Sequence, residues 1–248
     1  MFFTKREESA KKIDEVLSQK EFNSVIVEFT TLNFRLESGS KFEVRFKGYE
    51  DEKPNLSFEK GTLKIKQIEK EDNDPHIHIL KKEHVKLVIS NEDMNEVVVI
   101  VPKDKSLEAL QINLVAGDGK ISQVTTNDVN ATFISGDLTV KEERIDNFKA
   151  NLQAGDLTLK EVGLGKGKIK LAAGDFQMKD GRIIQSLEVK TSTGDNLVQG
   201  TQVDRCELST TLGENRLFGQ DKNNGEVGSE RDGSLLILKA VTGDNIVK

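Results

Sequence analysis

From Ile112 to Lys248 the apolar residues recur on a long fixed period, marked by a glycine followed by an acid. Gly117-Asp118, Gly136-Asp137, Gly155-Asp156, Gly174-Asp175, Gly194-Asp195 and Gly213-Glu214 are spaced 19, 19, 19, 20 and 19 residues apart, and Gly243-Asp244 follows after 30. Seven positions before each glycine stand Leu110, Val129, Phe148, Gly167, Leu187, Cys206 and Leu236. Five before stand Ile112, Ala131, Ala150, Ile169, Val189, Leu208 and Leu238. Three before stand Leu114, Phe133, Leu152, Leu171, Thr191, Thr210 and Ala240, and three after the acid stand Ile121, Val140, Leu159, Met178, Val198, Leu217 and Val247. Side chains alternate across a strand, so each set of odd offsets shares one face. A further apolar position eight after the acid holds Ile145, Leu164, Ile183 and Val203, and the residues between are mostly Asn, Thr, Lys, Ser and Gln.

This pattern predicts rungs made of a long strand, a Gly-acid corner, a short strand and a second corner. The second corner falls at stretches such as Glu161-Val162-Gly163 and Lys179-Asp180-Gly181. A single rung cannot bury its inward face, so rungs must stack in register, about 4.8 Å apart. The expected fold is all-β: a β-solenoid, β-helix-like, with about 19–20 residues per rung.

Upstream, from Glu21 to Pro102, the period is two. Val25, Val27 and Phe29 alternate, then Leu32, Phe34 and Leu36, Phe42, Val44 and Phe46, Leu63 and Ile65, Val85, Leu87 and Ile89, and Val97, Val99 and Val101. Such runs predict strands with one buried face, separated by turns at Glu37-Ser38-Gly39-Ser40, Lys47-Gly48, Lys60-Gly61 and Glu71-Asp72-Asn73-Asp74-Pro75. Thr4 to Gln19 reads as a short amphipathic helix, with Ala10, Ile13 and Leu17 on one stripe beside Val16. It would cap the sheets or engage a partner. The organisation expected is a helical cap over residues 1–20, a β-rich leading region over 21–102 continuous with the solenoid, and solenoid repeats over 103–248. The polar, Gly-rich residues 219–233 interrupt the period and predict an exposed insertion loop.

The corner has a physical rationale. A sharp change of strand direction calls for positive φ, which glycine supplies at little steric cost. The acid after it can accept nearby backbone N–H groups in an Asx-type turn. A column of carboxylates at rung spacing repels by about 1 kcal/mol per neighbouring pair in water, so the acids are either hydrogen-bonded and solvated or interleaved with cations. In later rungs Asn196, Asn215 and Asn245 follow the acid where Leu138, Leu157 and Phe176 stood before, which predicts an amide ladder.

Charge and composition narrow the function classes. Thirty-six basic against 42 acidic residues give a net charge of -6, which argues against a nucleic-acid groove built on a concentrated basic face. Cys206 is the single cysteine, so no intramolecular disulfide is expected. With no Trp and one Tyr, Tyr49, a sugar-stacking cleft is disfavoured. Charge follows Phe2 and Phe3 at once, so no signal peptide is visible and the chain reads as cytoplasmic, with envelope association as the alternative. No stretch approaches the 18 apolar residues of a transmembrane helix.

Candidate chemistry is sparse. His76, His78 and His84 lie close enough in sequence to form a metal site with Asp74 or Glu83, against the ordinary alternative of solvent-facing strand histidines. The corner acids invite comparison with calcium-binding β-rolls, whose glycines and Asp recur every nine residues rather than every 19. Thr139 and Thr158 start a column suited to an ice- or crystal-binding face, but Gln177, Leu197 and Arg216 break it. No Gly-x-Ser-x-Gly, phosphate-cradling glycine loop or Cys-His pairing is present. A polysaccharide-active β-helix enzyme would need long side loops, whereas the rungs between 117 and 213 vary by one residue. No catalytic, cofactor-binding or metal residue is assigned, and the chain reads as non-enzymatic.

With those residues laid out, the chain resembles the bacterial "putative adhesin" family, a β-helical domain of unknown function common in Gram-positive genomes. The resemblance covers about Glu21 to Lys248. It rests on Phe22-x-x-Val25-x-Val27, Gly61-x-Leu63-x-Ile65, Val97-Val98-Val99-Ile100-Val101-Pro102, and copies such as Ser135-Gly136-Asp137-Leu138 and Ala154-Gly155-Asp156-Leu157. It implies a non-enzymatic binding or scaffold protein linked to the cell envelope or its stress response, with an unidentified protein or envelope partner. A calcium-dependent structural module using the corner carboxylates is the alternative from a different class.

Overall fold

The computed structural model describes residues 11–68, 95–222, 224–226 and 233–248, the side chains of 224–226 excepted. Its leading strands are β1 (Lys12–Ser18), β2 (Ser24–Phe29), β3 (Asn33–Gly39), β4 (Glu43–Tyr49), β5 (Asn55–Glu59), β6 (Thr62–Lys66) and β7 (Glu96–Pro102). Long and short strands then alternate. The first pairs are β8 (Leu107–Ala116) with β9 (Gly119–Ser122), β10 (Thr126–Ser135) with β11 (Leu138–Lys141), and β12 (Arg144–Ala154) with β13 (Leu157–Lys160). They continue as β14 (Gly163–Ala173) with β15 (Phe176–Lys179), β16 (Arg182–Thr193) with β17 (Asn196–Gln199), and β18 (Arg205–Leu212) with β19 (Asn215–Leu217). After β20 (Gln220–Asp221) and β21 (Asn224–Glu226), the chain ends in β22 (Leu235–Thr242) and β23 (Asn245–Val247).

These strands form two sheets. The long-strand sheet runs β21-β18-β22-β16-β14-β12-β10-β8-β2-β6-β5, and the short-strand sheet runs β1-β4-β7-β3-β9-β11-β13-β15-β17-β23-β19-β20. Successive rungs pair in parallel and in register, so that Val129 lies beside Phe148 and Phe148 beside Gly167. This is the β-solenoid that the 19-residue period predicts. The columns fall inside as expected: all are buried apart from half-buried Gly167 and Thr210. Packing compensates between columns. A Cβ on Gly119 would stand 2.7 Å from the Phe133 ring, and one on Gly167 would stand 2.5 Å from Leu187 Cδ1. The missing side chains are therefore filled by larger neighbours. The single 20-residue spacing, between Gly174 and Gly194, is absorbed by a register shift that places Leu164 beside Ile183 but Lys166 beside Ser186.

Three features depart from expectation. The helix predicted over Thr4–Gln19 is corrected: residues 4–10 lie outside the described residues, and Lys12–Ser18 is an edge strand antiparallel to β4. Ile13 and Leu17, four residues apart, share a side in a strand as they do in a helix, and both pack against the core; the register shifts between Val16 and Ser18. The charged residues that suggested a solvated helix face pair across the sheet instead. Asp14 bonds Arg45, Glu15 bonds Lys53 at 2.8 Å, and Lys12 stands over the Tyr49 ring. Charges on an edge strand also discourage pairing with another chain.

The second departure is the order of the last rung. β22 lies between β16 and β18, and β23 between β17 and β19. The chain lays down Arg205–Leu217 one rung too far and then returns to fill the gap. Asp204 pins that return, accepting from Ser234 N–H at 2.7 Å and Ser234 Oγ–H at 2.8 Å. The third departure concerns residues 219–233, expected as an exposed loop. Residues 219–222 are exposed as expected, but the segment holds two short edge strands, β20 antiparallel to β19 and β21 antiparallel to β18. The predicted strand at Val85, Leu87 and Ile89 lies outside the described residues.

Leu152 is 2% exposed and sits between Phe133 and Leu171. Leu152→Asp is expected to cost at least about 3 kcal/mol, because an unpaired charge enters that column. Thr158→Asp, on the outward side of the short strand, is expected to melt within a few degrees of wild type in a thermal denaturation assay.

Candidate functional site

The Gly-acid corner is the most regular chemical feature. Gly136, Gly155, Gly174 and Gly194 have φ between 130° and 133°. A Cβ on Gly155 would stand 2.1 Å from the Gly136 carbonyl oxygen, and the other corner glycines meet their neighbours in the same way. Conformation and clearance both demand glycine. Each acid reaches along the solenoid. Asp118 Oδ1 accepts from Asp137 N–H at 2.9 Å, Asp137 from Asp156 at 2.8 Å, Asp156 from Asp175 at 2.8 Å and Asp175 from Asp195 at 2.8 Å. Asp195 then accepts from Asp244 and Asp244 from Glu214, both at 2.8 Å, following the spatial order of rungs rather than the chain. The Asx-type turn expected within each corner is thus corrected. Amides in a stacked rung point along the solenoid axis, so the N–H within reach belongs to the next rung.

The row starts one rung earlier than the glycines reveal. Asn33 occupies the acid position and its Oδ1 accepts from Asp118 N–H at 2.7 Å. In the adjoining corner, Gln67 Oε1 accepts from Thr30 and Thr31 N–H, each at 2.8 Å. The predicted amide ladder is present, with Asn196 and Asn245 buried and Asn215 half-buried. Asn196 donates to Asn245 Oδ1 and Asn245 to Asn215 Oδ1, both at 2.8 Å, while Thr191 Oγ1 donates to Asn196 Oδ1 at 2.7 Å.

The second corner carries positive φ on non-glycine residues, Gln123, Glu142, Glu161 and Asp180, at 52–59°. The position just after them holds Val124, Glu143, Val162 and Gly181. Glu143 therefore takes an inward place that its neighbours give to valine, and it is 5% exposed. One oxygen accepts from Val124 N–H, and the other, Oε2, has no hydrogen-bond partner among the described residues. Burial pushes its carboxyl up to about 8, against the opposing pull of the Val124 and Arg144 N–H groups. The 19-residue alignment could have located it, but the run Lys141-Glu142-Glu143-Arg144 looks solvated. Cys206 is buried, which raises its thiol to about 11 and leaves it unreactive at neutral pH.

The outer face of the long-strand sheet carries a feature that whole-chain charge conceals. Lys166, Lys168 and Lys170 alternate along β14 and project outward, exposed. Register places Lys149 beside Lys168, Lys190 beside Lys170, and Lys239 beside Lys190. Glu188 takes up Lys190 at 2.9 Å and Lys239 at 3.5 Å. The other four lysines have no ion pair among the described residues. Like charges held one strand apart cost about 1 kcal/mol per pair in water. Two shallow depressions flank β14. One, of about 310 Å³, is lined by Asp128, Asn130, Asn147, Lys149, Lys166 and Lys168. The other, of about 480 Å³, is lined by Thr132, Asn151, Gln153, Lys170, Lys190 and Ser192.

His76, His78 and His84, with Asp74 and Glu83, lie outside the described residues. Among the described residues no group of three His, Cys, Asp or Glu converges as metal ligands, and no helix is long and apolar enough to cross a membrane.

A two-sheet, parallel-stacked solenoid with a glycine-acid corner defines the class of protein. The chain belongs to the Toastrack DUF4097 family, whose model matches residues 24–233. No curated protein matches its sequence significantly. Among solved structures it is similar to a protein of Bacteroides fragilis described as a "putative adhesin", with a TM-score of 0.61 and 14% identity over 97% of this chain and 98% of that one. It is also similar to one of Clostridium sporogenes described as a "putative cell adhesion protein", with a TM-score of 0.42 and 15% identity over 96% and 98%.

Two outcomes are expected from the corners. Asp156→Asn keeps the acceptor for Asp175 N–H and removes one charge, so its melting temperature should equal or exceed that of wild type. Asp156→Ala should lose about 1 kcal/mol. An equal loss in both variants, together with a calcium-dependent rise of the wild-type melting temperature, would place a cation in the row. For Glu143, the folded state holds a proton that the unfolded chain releases above the ordinary carboxylate value of 4.5. Stability from this group is therefore full below pH 4.5 and falls as pH rises towards 8, by roughly 1.4 kcal/mol per pH unit at most. Glu143→Gln should remove that slope from urea denaturation measured between pH 5 and 8, and should stabilise the protein most at the alkaline end.

Proposed function

We propose that the protein is a non-enzymatic, adhesin-like binding module of the bacterial envelope, and that it presents the outer face of its long-strand sheet to an extended partner. The observation that carries this reading is the uniformity of the rungs. The connections between β8 and β17 are tight corners, so the repeats offer a broad face in place of an enclosed reaction cleft. The depressions on that face are shallow and polar at their rims, suited to contact with a surface or a chain. The described parts of residues 219–233 pair with sheet edges, which favours the solenoid side over that insertion as the contact surface. Membership of the Toastrack DUF4097 family and the description of the Bacteroides fragilis protein agree with such a role.

Co-sedimentation of the purified protein with isolated bacterial envelopes tests the proposal. It should pellet with them and release no reducing ends from a panel of envelope and plant polysaccharides. Cleavage of any member of the panel, or failure to pellet, would overturn the reading.

A further inference from the structure

We propose that the lysine-bearing face centred on β14 is a docking surface for a linear, phosphate-bearing polyanion. This inference rests on the preceding reading of the long-strand face as the contact surface. Lys166, Lys168 and Lys170 stand two residues apart along one strand, hence roughly 6.6–6.8 Å apart. Lys149, Lys190 and Lys239 extend that line sideways at the strand spacing of about 4.8 Å. The result is a two-dimensional array of six lysines, of which Lys190 and Lys239 share Glu188, on a protein whose net charge is -6. A single small anion would engage one or two of them. A chain with a charge at each repeat engages many at once, and linked contacts multiply affinity.

The chemistry of the grid selects among anions. Lysine offers a compact charge with rotatable donors, which suits phosphate oxygens without demanding the planar, bidentate geometry of an arginine site. Asn130, Asn147, Asn151 and Thr132 stand among the lysines as further polar groups, together with two carboxylates, Glu188 beside Lys168 and Asp128 beside Asn147. Among the described residues no exposed aromatic ring stands on this face: Phe29, Phe133 and Phe148 of the long-strand sheet are buried, Phe58 packs against the core, and Tyr49 is in β4 of the other sheet. Single-stranded nucleic acids are held by base stacking on aromatic side chains as well as by charge. A polyphosphate or polyphosphodiester without bases needs only the charge. Membrane insertion calls for large apolar or aromatic side chains between the lysines. In the described long strands the exposed large apolar residues are Val115, Ile134, Leu212 and Val241, beside the Gly-acid corner, and Ile184, towards the second corner of its rung, so none stands between the lysines of β14. The opposite sheet supplies an internal control. Lys141, Lys160 and Lys179 also form a column there, but each is followed by an acid, Glu142, Glu161 or Asp180.

Fluorescence anisotropy with end-labelled, long-chain inorganic polyphosphate tests the inference at low ionic strength and along a salt titration. Wild-type protein should bind, with affinity falling steeply as salt rises. The triple variant K149Q/K168Q/K170Q should bind at least ~tenfold more weakly and with a shallower salt dependence. The control K141Q/K160Q/K179Q should stay within about twofold of wild type, since contacts to the other sheet do not release counterions. Melting curves check that both variants remain folded, as expected for neutralised surface lysines. No binding by wild type, or equal losses in the two variants, would overturn the inference. So would binding to phosphatidylglycerol vesicles that polyphosphate does not displace, which would assign the face to a membrane surface. If envelopes pellet the protein while polyphosphate fails to bind, this inference falls and the adhesin-like reading stands.

Discussion

Backbone contact at the Gly-acid corner is the constraint on which the rest of the structure depends. Gly155 has no side chain, and its Cα lies against the Gly136 carbonyl so closely that a Cβ would stand 2.1 Å away. That approach sets the rung spacing at its tightest point. Gly155 N–H also donates to Ala173 O at 3.0 Å, and Leu157 N–H to Asp175 O at 2.9 Å, so the ladder runs through the corner without a gap. The acid beside each glycine occupies the amide of its neighbour. Once one corner is in register, the rest of the rung follows: Leu152 must lie between Phe133 and Leu171, and Leu159 between Val140 and Met178. A slip of one residue would turn every such side chain to solvent.

A stack built this way needs ends, because its last strands present unpaired amides. At both ends the chain reverses direction, so that antiparallel strands take the place of a further parallel rung. β4 pairs antiparallel with β7 and β1 with β4, while β5 pairs antiparallel with β6. At the other end β20 and β21 close the two sheets in the same sense. In each case a later segment slots inside an earlier one: β7 between β3 and β4, and β22 between β16 and β18. The same strategy at both ends leaves the middle rungs uniform, and those rungs present an extended, regular face.

The face owes its charge to register. Lys149, Lys168, Lys170 and Lys190 come from three rungs, and in-register stacking sets Lys149 beside Lys168 and Lys190 beside Lys170. Glu188 answers only two of the surrounding lysines. On the inner side, the same stacking puts Glu143 in line with Val124 and Val162, where its carboxyl is favoured protonated. One periodicity thus produces both the exposed basic grid and the buried acid.

The repeat was legible in the sequence because a residue with no side chain has to recur wherever backbones touch, and because inward positions cannot tolerate charge without a partner. Those two requirements determined the rung length, the inward columns, the corner glycines and the amide ladder from Asn196, Asn215 and Asn245. They could not determine rung order. The three amides would satisfy one another in either sequence of stacking, so nothing local says that Asn245 sits between the other two. Nor could a pattern on β1 reveal a strand, since the four-residue spacing of Ile13 and Leu17 suits a strand face and a helix stripe alike, and its charges answer residues 31 and 38 positions away. Tertiary structure also decided which amide each acid serves and which lysines meet on one face. Those are relations between rungs, set by stacking at about 4.8 Å, and they exist only once distant segments are brought side by side.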